Sequence, residues 1–435
     1  MLKKIKNAVF AFIFSTLFLL ASCGEIKTNI LNENEKNKLG TVAFDGGSLP
    51  NIEGLYTVNI ERNILWGFTN MYHPTVIKVK DKKYPYRLYF FGWATADMNL
   101  GWPGLDAIFI GRGKNLSTWE IYSKSKETGK FYWNVPDNSN KYKVKEWAPV
   151  IYPSKEWFDD IHNGDPSIAY KDGMYYMAYS AQGSDLDGYY NSTSDMDGII
   201  EVIMGATSRN GINWTKSAYP ILIWEHEIGK LEYWNGGTEW GPDNPYMGNY
   251  CRPSIMYDNN KWRMWFDYYD EIGVGTSMGY AENTGDFMKF SDWKIINADK
   301  NPQLRGAGNV SVIKIKDKYV MYGDTFMSFL GVDHPRIPET GWANHQLFEA
   351  VSDDGLDWEI TGYIVPDEDS WANMVCSLYY EQGHLFLLYS CQEGYGDPRD
   401  GITGGYSAHF DRLRYMVRSV DYQYEKGVNF FGKYT

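Results

Sequence analysis

From about residue 71 onward, short apolar stretches alternate with turns rich in Asp, Asn, Gly and Lys, and each turn leads into an aromatic stretch. Asp165-Pro166-Ser167-Ile168-Ala169-Tyr170 runs through Lys171-Asp172-Gly173 into Met174-Tyr175-Tyr176-Met177-Ala178-Tyr179. Arg252-Pro253-Ser254-Ile255-Met256-Tyr257 runs through Asp258-Asn259-Asn260 into Lys261-Trp262-Arg263-Met264-Trp265-Phe266. The pattern returns over Ser311–Tyr322 and Ser377–Tyr389, and in a longer form from His73-Pro74-Thr75 to Tyr86–Phe91. Each copy predicts a β-hairpin: an apolar strand, a tight turn and an aromatic strand.

A second element follows several of the hairpins. It occupies Gly111–Trp119, Ala206–Trp214 and Ala350–Trp358, with a degenerate copy ending at Trp293. It predicts a third strand, a turn that needs Gly or Asn, and a fourth strand opened by Trp. Four antiparallel strands in internal repetition predict an all-β fold, a five-bladed β-propeller of four-stranded antiparallel blades. The copies begin at residues 73, 165, 252, 309 and 375. Unequal spacing around a constant core places insertions at residues 92–106, 180–200, 215–250, 267–276 and 324–346. If the innermost strand of each blade descends from the top face, all these insertions lie on that face. Long loops held by a rigid scaffold around one mouth are where binding function usually resides.

The chain ends of this pattern divide it further. Lys3, Lys4 and Lys6 precede an apolar run from Ala8 to Leu20, and Leu20-Ala21-Ser22 leads to Cys23. The run is shorter than the roughly 20 residues that span a bilayer, and it resembles the lipobox of bacterial lipoproteins. It implies a signal peptide over 1–22, a lipid on Cys23, a flexible tether over 23–55 and the propeller over 56–435. Gly24 in place of the inner-membrane retention Asp points to the outer membrane. Removal of the leader takes the net charge from −13 to −16. That balance argues against nucleic acid or anionic lipid as a partner and leaves the acyl chains as the membrane contact. A monomer is expected. Cys251, Cys376 and Cys391 form no metal-type pairing and predict no disulfide framework. The 17 Trp and 35 Tyr exceed what a β core needs, leaving rings to stack on sugars; Tyr72, Trp93 and Trp240 are the candidates.

Register brings the leading residues of the innermost strands together near the axis: His73, Asp165, Arg252, Asn309 and Val375. One reading is that they cap a central tunnel with hydrogen bonds; the other is a sugar-recognising pocket. The Asp-Pro-Ser-Ile opener, the Lys-Asp-Gly turn and the Ser-Asp-Asp-Gly-Leu-Asp-Trp turn (Ser352–Trp358) resemble five-bladed glycoside hydrolases, families 43 and 32 and their relatives. The resemblance covers roughly residues 65–415. It implies a glycosidase acting through top-face carboxylates, with calcium in the tunnel in some relatives and no required cofactor. The family 43 pattern of acids opening blades one, three and four is absent, because His73, Arg252 and Asn309 stand there.

Glycosidic cleavage needs two carboxyl groups about 5–5.5 Å apart for retention or about 6.5–9.5 Å for inversion. The top-face acids are Asp97, Asp165, Glu239, Asp267, Asp270, Asp324 and Glu393. The expected assignment makes Asp165 base or nucleophile, Glu239 or Asp324 the acid, and Asp267 a tuning or hydroxyl-binding group. His73 and Arg252 would orient sugar or pair with carboxylates. Two alternatives stand beside this one: a propeller that binds glycan without cleaving it, and a phosphorolytic enzyme in which His73 and Arg252 hold phosphate.

Overall fold

A computed structural model describes residues 57–66, 71–93, 106–137, 142–154, 158–160, 162–182, 201–223, 250–269, 276–296, 307–326, 345–364, 370–393 and 412–420. The expected signal peptide, Cys23, the tether, Asp97, Glu239, Trp240 and Asp270 lie outside these residues.

The strands form five antiparallel sheets. The outermost strand of the last blade comes first in the chain, β1 (Thr57–Trp66). Blade one is β2 (Tyr72–Lys78), β3 (Tyr86–Trp93), β4 (Asp106–Gly113), β5 (Trp119–Lys124) and β6 (Phe131–Asn134). Blade two is β7 (His162–Lys171), β8 (Met174–Gln182), β9 (Glu201–Ser208) and β10 (Thr215–Lys216). Blade three is β11 (Tyr250–Asp258), β12 (Lys261–Tyr269), β13 (Thr276–Asn283) and β14 (Trp293–Ile295). Blade four is β15 (Gly308–Ile315), β16 (Lys318–Phe326), β17 (His345–Ser352) and β18 (Glu359–Ile364). Blade five takes β19 (Ser370–Glu381), β20 (His384–Glu393) and β21 (Arg412–Ser419) from the C-terminal region and β1 as its outer strand. The chain is a five-bladed β-propeller, closed by pairing its first strand with its last.

The hairpin turns follow the residues that build them. Asp172-Gly173, Asn259-Asn260 and Gln382-Gly383 all have positive φ at both central positions, the geometry of type I′ turns that match strand twist. The turns after β9 and β17 are each held by two side chains, Ser208 with Asn210 and Ser352 with Asp354. Asn210 Oδ1 accepts from the N–H groups of Ile212 and Asn213, and Asp354 Oδ1 accepts from those of Leu356 and Asp357. Neighbouring blades bolt onto these turns: Tyr89 OH donates to the Gly211 carbonyl and Trp265 Nε1 to the Gly355 carbonyl. The bottom turns are therefore part of the framework.

Apolar burial is divided among the blade interfaces. Five clusters of buried side chains lie between blades one and two, two and three, three and four, four and five, and five and one. A ring in which every interface has its own core has no free sheet face. Between blades four and five a buried ion pair joins Arg418 to Glu349, which also accepts from Tyr322 and Thr361.

Closest to the axis, the five innermost strands belong to separate sheets, so side chains must connect them. Thr75 Oγ1 donates to the Pro166 carbonyl at 2.6 Å. Ser167 Oγ accepts from Ile255 N–H, Ser254 Oγ from Val312 N–H and Ser311 Oγ from Leu378 N–H, each at 2.9 Å. The hydroxyl two residues after four of the five openers is a stitch to the next blade. Removing one leaves a buried backbone donor without its acceptor, which costs roughly 1–3 kcal/mol. Ser254→Ala is expected to lose about that much stability in denaturant unfolding; an unchanged midpoint would contradict the stitch.

Candidate functional site

Four openers share one backbone conformation. His73, Asp165, Arg252 and Asn309 have φ of 45°, 48°, 49° and 50°, a left-handed region that costs side-chain-bearing residues energy. Each stands where the first strand gains one residue on the second: between Tyr72 and Thr75, Gly164 and Ser167, Cys251 and Ser254, and Gly308 and Ser311. A bulge whose first residue is left-handed re-aims that side chain and ends the ladder locally. In blade five a larger irregularity separates Ala372 from Cys376 and contains the Val375 opener. Glycine would adopt this conformation without cost, yet the chain carries His, Asp, Arg and Asn there. Four equivalent strained positions with four functional side chains mark the mouth as the candidate site.

The four side chains are not independent. His73 Nδ1 lies 3.7 Å from Asp165 Oδ1 across the blade one to blade two interface. Asp165 is only 6 % exposed, so it lies within the mouth and not at the rim. Arg252 Nη1 lies 3.2 Å from Asp267 Oδ2. Both oxygens of Asp267, which is wholly buried, accept from the Asn309 backbone N–H at 3.0 and 2.9 Å. The Arg252 backbone N–H in turn donates to Ser180 Oγ at 2.8 Å. Ser180 and Asp267 occupy equivalent places, opposite Gly164 and Cys251. The residue there in one blade holds the opener of the next.

This geometry gives Asp267 a bracing role: it ties Arg252 to the neck of blade four. Asp324 sits opposite Gly308 in blade four, the same register position; its side chain lies outside the described residues. The side chains of Tyr72, Trp93, Val375 and Glu393 are likewise outside them, although their backbones lie on β2, β3, β19 and β20. Glu239 and Trp240 are outside entirely. Of the expected site residues, the structure thus brings together His73, Asp165, Arg252, Asn309 and Asp267.

Three further groups belong to this region. Glu201 opens the third strand of blade two, is buried, and accepts from Gln182 Nε2 at 3.0 Å. Cys251 is a free, buried thiol adjacent to the opener Arg252, whose Nη1 donates to its Sγ at 3.9 Å. The insertion over 183–200 hides Glu201 from repeat matching, because nothing in the preceding residues shows where the third strand resumes. Ser180 was legible only as the last small polar residue of an aromatic strand.

Charge in the mouth is asymmetric. Burial pulls the His73 imidazole down to about 4, against the raising influence of Asp165 and with the help of Arg252; it is neutral at pH 7. Its Nδ1 has no hydrogen-bond partner. Burial opposes the charge on Arg252, but Cys251, Asp267, Asp165 and Glu201 around it raise its pKa well above the ordinary value. Burial, then Glu201, pushes the Cys251 thiol up, so it stays protonated. Among the described residues, the mouth therefore sets a fixed guanidinium and a neutral imidazole beside the carboxyls of Asp165, Asp267 and Glu201. Among the described residues no group of three or more His, Cys, Asp or Glu has the geometry to hold a metal ion.

No protein-family model matches this chain, and no curated protein sequence does. Solved structures are similar to it at low identity. A thermostable family-43 glycoside hydrolase has a TM-score of 0.45 at 14 % identity, over 84 % of this chain and 94 % of its own. A family 32 β-fructofuranosidase of Bombyx mori has a TM-score of 0.46 at 12 % identity, over 89 % and 66 % respectively. An N-acetylgalactosamine deacetylase from F. plautii, in complex with blood group B trisaccharide, has a TM-score of 0.47 at 14 % identity, over 82 % and 96 %.

The shift of His73 has a consequence for stability. Between pH 6.5 and about 4 the unfolded chain takes up a proton that native His73 refuses. Native stability then falls with acidification across that window, by about 1.4 kcal/mol per pH unit and about 3 kcal/mol in all. His73→Asn, which keeps a residue tolerant of positive φ, is expected to flatten the fall between pH 6.5 and about 4 in denaturant melts. Parallel pH profiles for wild type and variant would contradict a dry His73.

Proposed function

We propose that the mouth is a carbohydrate site and that the chain is a glycoside hydrolase, exported and lipid-anchored at Cys23 in the bacterial outer membrane. The observation that carries this reading is Asp165: a buried carboxyl on a left-handed bulge, beside a neutral imidazole and an anchored guanidinium. The leader, the aromatic excess and the Asp165-Pro166-Ser167-Ile168 motif support it from the sequence.

In this reading Asp165 either takes a proton from water as that water attacks the anomeric carbon, or attacks that carbon itself. The bond from the anomeric carbon to the glycosidic oxygen breaks, and a second carboxyl gives its proton to the departing oxygen. Glu239, from the long insertion before blade three, or Asp324, near the end of β16, supplies that second group. Asp267 does not serve as the acid, since both of its oxygens are engaged by Arg252 and Asn309. Arg252 and neutral His73 orient ring hydroxyls, and Arg252 limits the cost of a second negative charge near Asp165.

One observation favours a second reading, glycan binding without cleavage. Of the mouth carboxylates whose contacts are described, Asp267 is fully engaged and Glu201 accepts from Gln182, so Asp165 lacks a described partner acid. Turnover decides between the two. On an oligosaccharide or aryl glycoside that wild type cleaves, Asp165→Asn is expected to lower kcat by about 10²–10⁴-fold while the protein still folds. Activity near wild type would remove Asp165 from the chemistry. Tight glycan binding with no hydrolysis of any substrate screened would favour the second reading.

A further inference from the structure

Blade one carries a surface that the propeller does not require. Its sheet has a fifth strand, whereas the other described sheets have four. The added strand, Phe131-Tyr132-Trp133-Asn134, pairs with β5 so that Trp133 lies opposite Tyr122 and Phe131 opposite Lys124. Residues facing the same side stack in a row. The Arg112 guanidinium lies between two rings, 3.9 Å from the Tyr84 centroid and 4.3 Å from that of Trp133. Trp133 meets Tyr122 edge-on at 5.5 Å, and Tyr122 stacks on Phe131 at 5.2 Å with only 3° between planes. The row ends in the open: Phe131 is 51 % exposed.

The charge around this row opposes that of the whole molecule. Residues 78–146 carry thirteen Lys and Arg against seven Asp and Glu, in a chain with 42 against 55 overall. Lys124 lies over the Phe131 ring at 5.6 Å, and Lys124, Lys126 and Lys130 are all exposed around the β5–β6 hairpin. An exposed flat ring, braced by a second ring behind it, offers a face to the C–H side of a pyranose. Lysines beside that ring offer charge to carboxylate or sulfate groups spaced along the same polymer.

We propose that the outer edge of blade one is a second glycan-binding surface, distinct from the axial mouth, and that it holds an anionic polysaccharide, one bearing uronate or sulfate. Phe131 supplies the stacking platform, and Lys124, Lys126 and Lys130 supply the charge. The surface lies on the outer strands while the mouth lies on the innermost ones, so one long chain is held at the edge while the mouth stays open. The proposal does not depend on whether the mouth cleaves.

Affinity electrophoresis of the purified full chain tests it. Native gels would contain polygalacturonate, chondroitin sulfate or a neutral arabinan. Retardation by the two anionic polymers and not by arabinan is expected, and it should weaken severalfold between about 50 and about 300 mM salt. Phe131→Ala alone, and Lys124→Ser with Lys126→Ser and Lys130→Ser, should each weaken retardation by about threefold or more. These residues are exposed, so the thermal midpoint should not move. Asp165→Asn should be retarded like wild type, which separates this surface from the mouth. The proposal fails if neither anionic polymer retards the protein, or if both variants migrate as wild type does. It fails also if single-stranded DNA or anionic vesicles bind through these residues while the polysaccharides do not.

Discussion

The inner ring of this propeller depends on a hydroxyl two residues after four of its five openers. Neighbouring innermost strands share no main-chain ladder. Thr75, Ser167, Ser254 and Ser311 supply the missing connection with one hydrogen bond each to the following blade. Because the stitch lies immediately after the bulge, it also sets how far the strand is ordered before it turns left-handed. The strain at His73, Asp165, Arg252 and Asn309 is thus held in place by the contacts that join blade one to two, two to three, three to four and four to five. The five apolar interfaces supply most of the stability, and the stitches decide where the axial side chains point.

The same logic distributes charge. Asp267 is spent on Arg252 and on the neck of blade four, which leaves the guanidinium fixed and Asp165 as the axial carboxyl. His73 is neutral because burial outweighs its acidic neighbour, so the mouth keeps its hydrogen-bonding character without gaining a second cation. A sugar hydroxyl, which can donate and accept, suits such a set of groups better than a bare ion does.

Much of this was legible in the sequence, and the gaps have physical causes. The hairpin copies gave the blades, their order and the openers, because a Ser or Thr two residues after each opener, behind Pro in three of the five, leaves a recurring residue pattern. Closure of the ring by Thr57–Trp66 was not legible: its partner Arg412–Ser419 lies at the far end of the chain, and β1 copies no other strand. The fifth strand of blade one escaped notice because Phe131–Asn134 repeats nothing. Asp267 looked like a free top-face acid, since spacing shows where a carboxylate sits and not which neighbour has claimed it. Glu201 was hidden by the insertion that precedes it. Cys251 is a buried thiol beside the Arg252 opener, a placement that cysteine spacing alone does not show.

The central claim is that the openers meet in one dry mouth, and the titration of His73 tests it most directly. Ring-labelled histidine NMR of wild type and Asp165→Asn would report the His73 imidazole in each. The account predicts a wild-type pKa of about 4, falling further in the variant, because Asp165 is the neighbour that raises it. A value near 6.5 that ignores the loss of Asp165 would mean that the two side chains do not meet and that the mouth is wet.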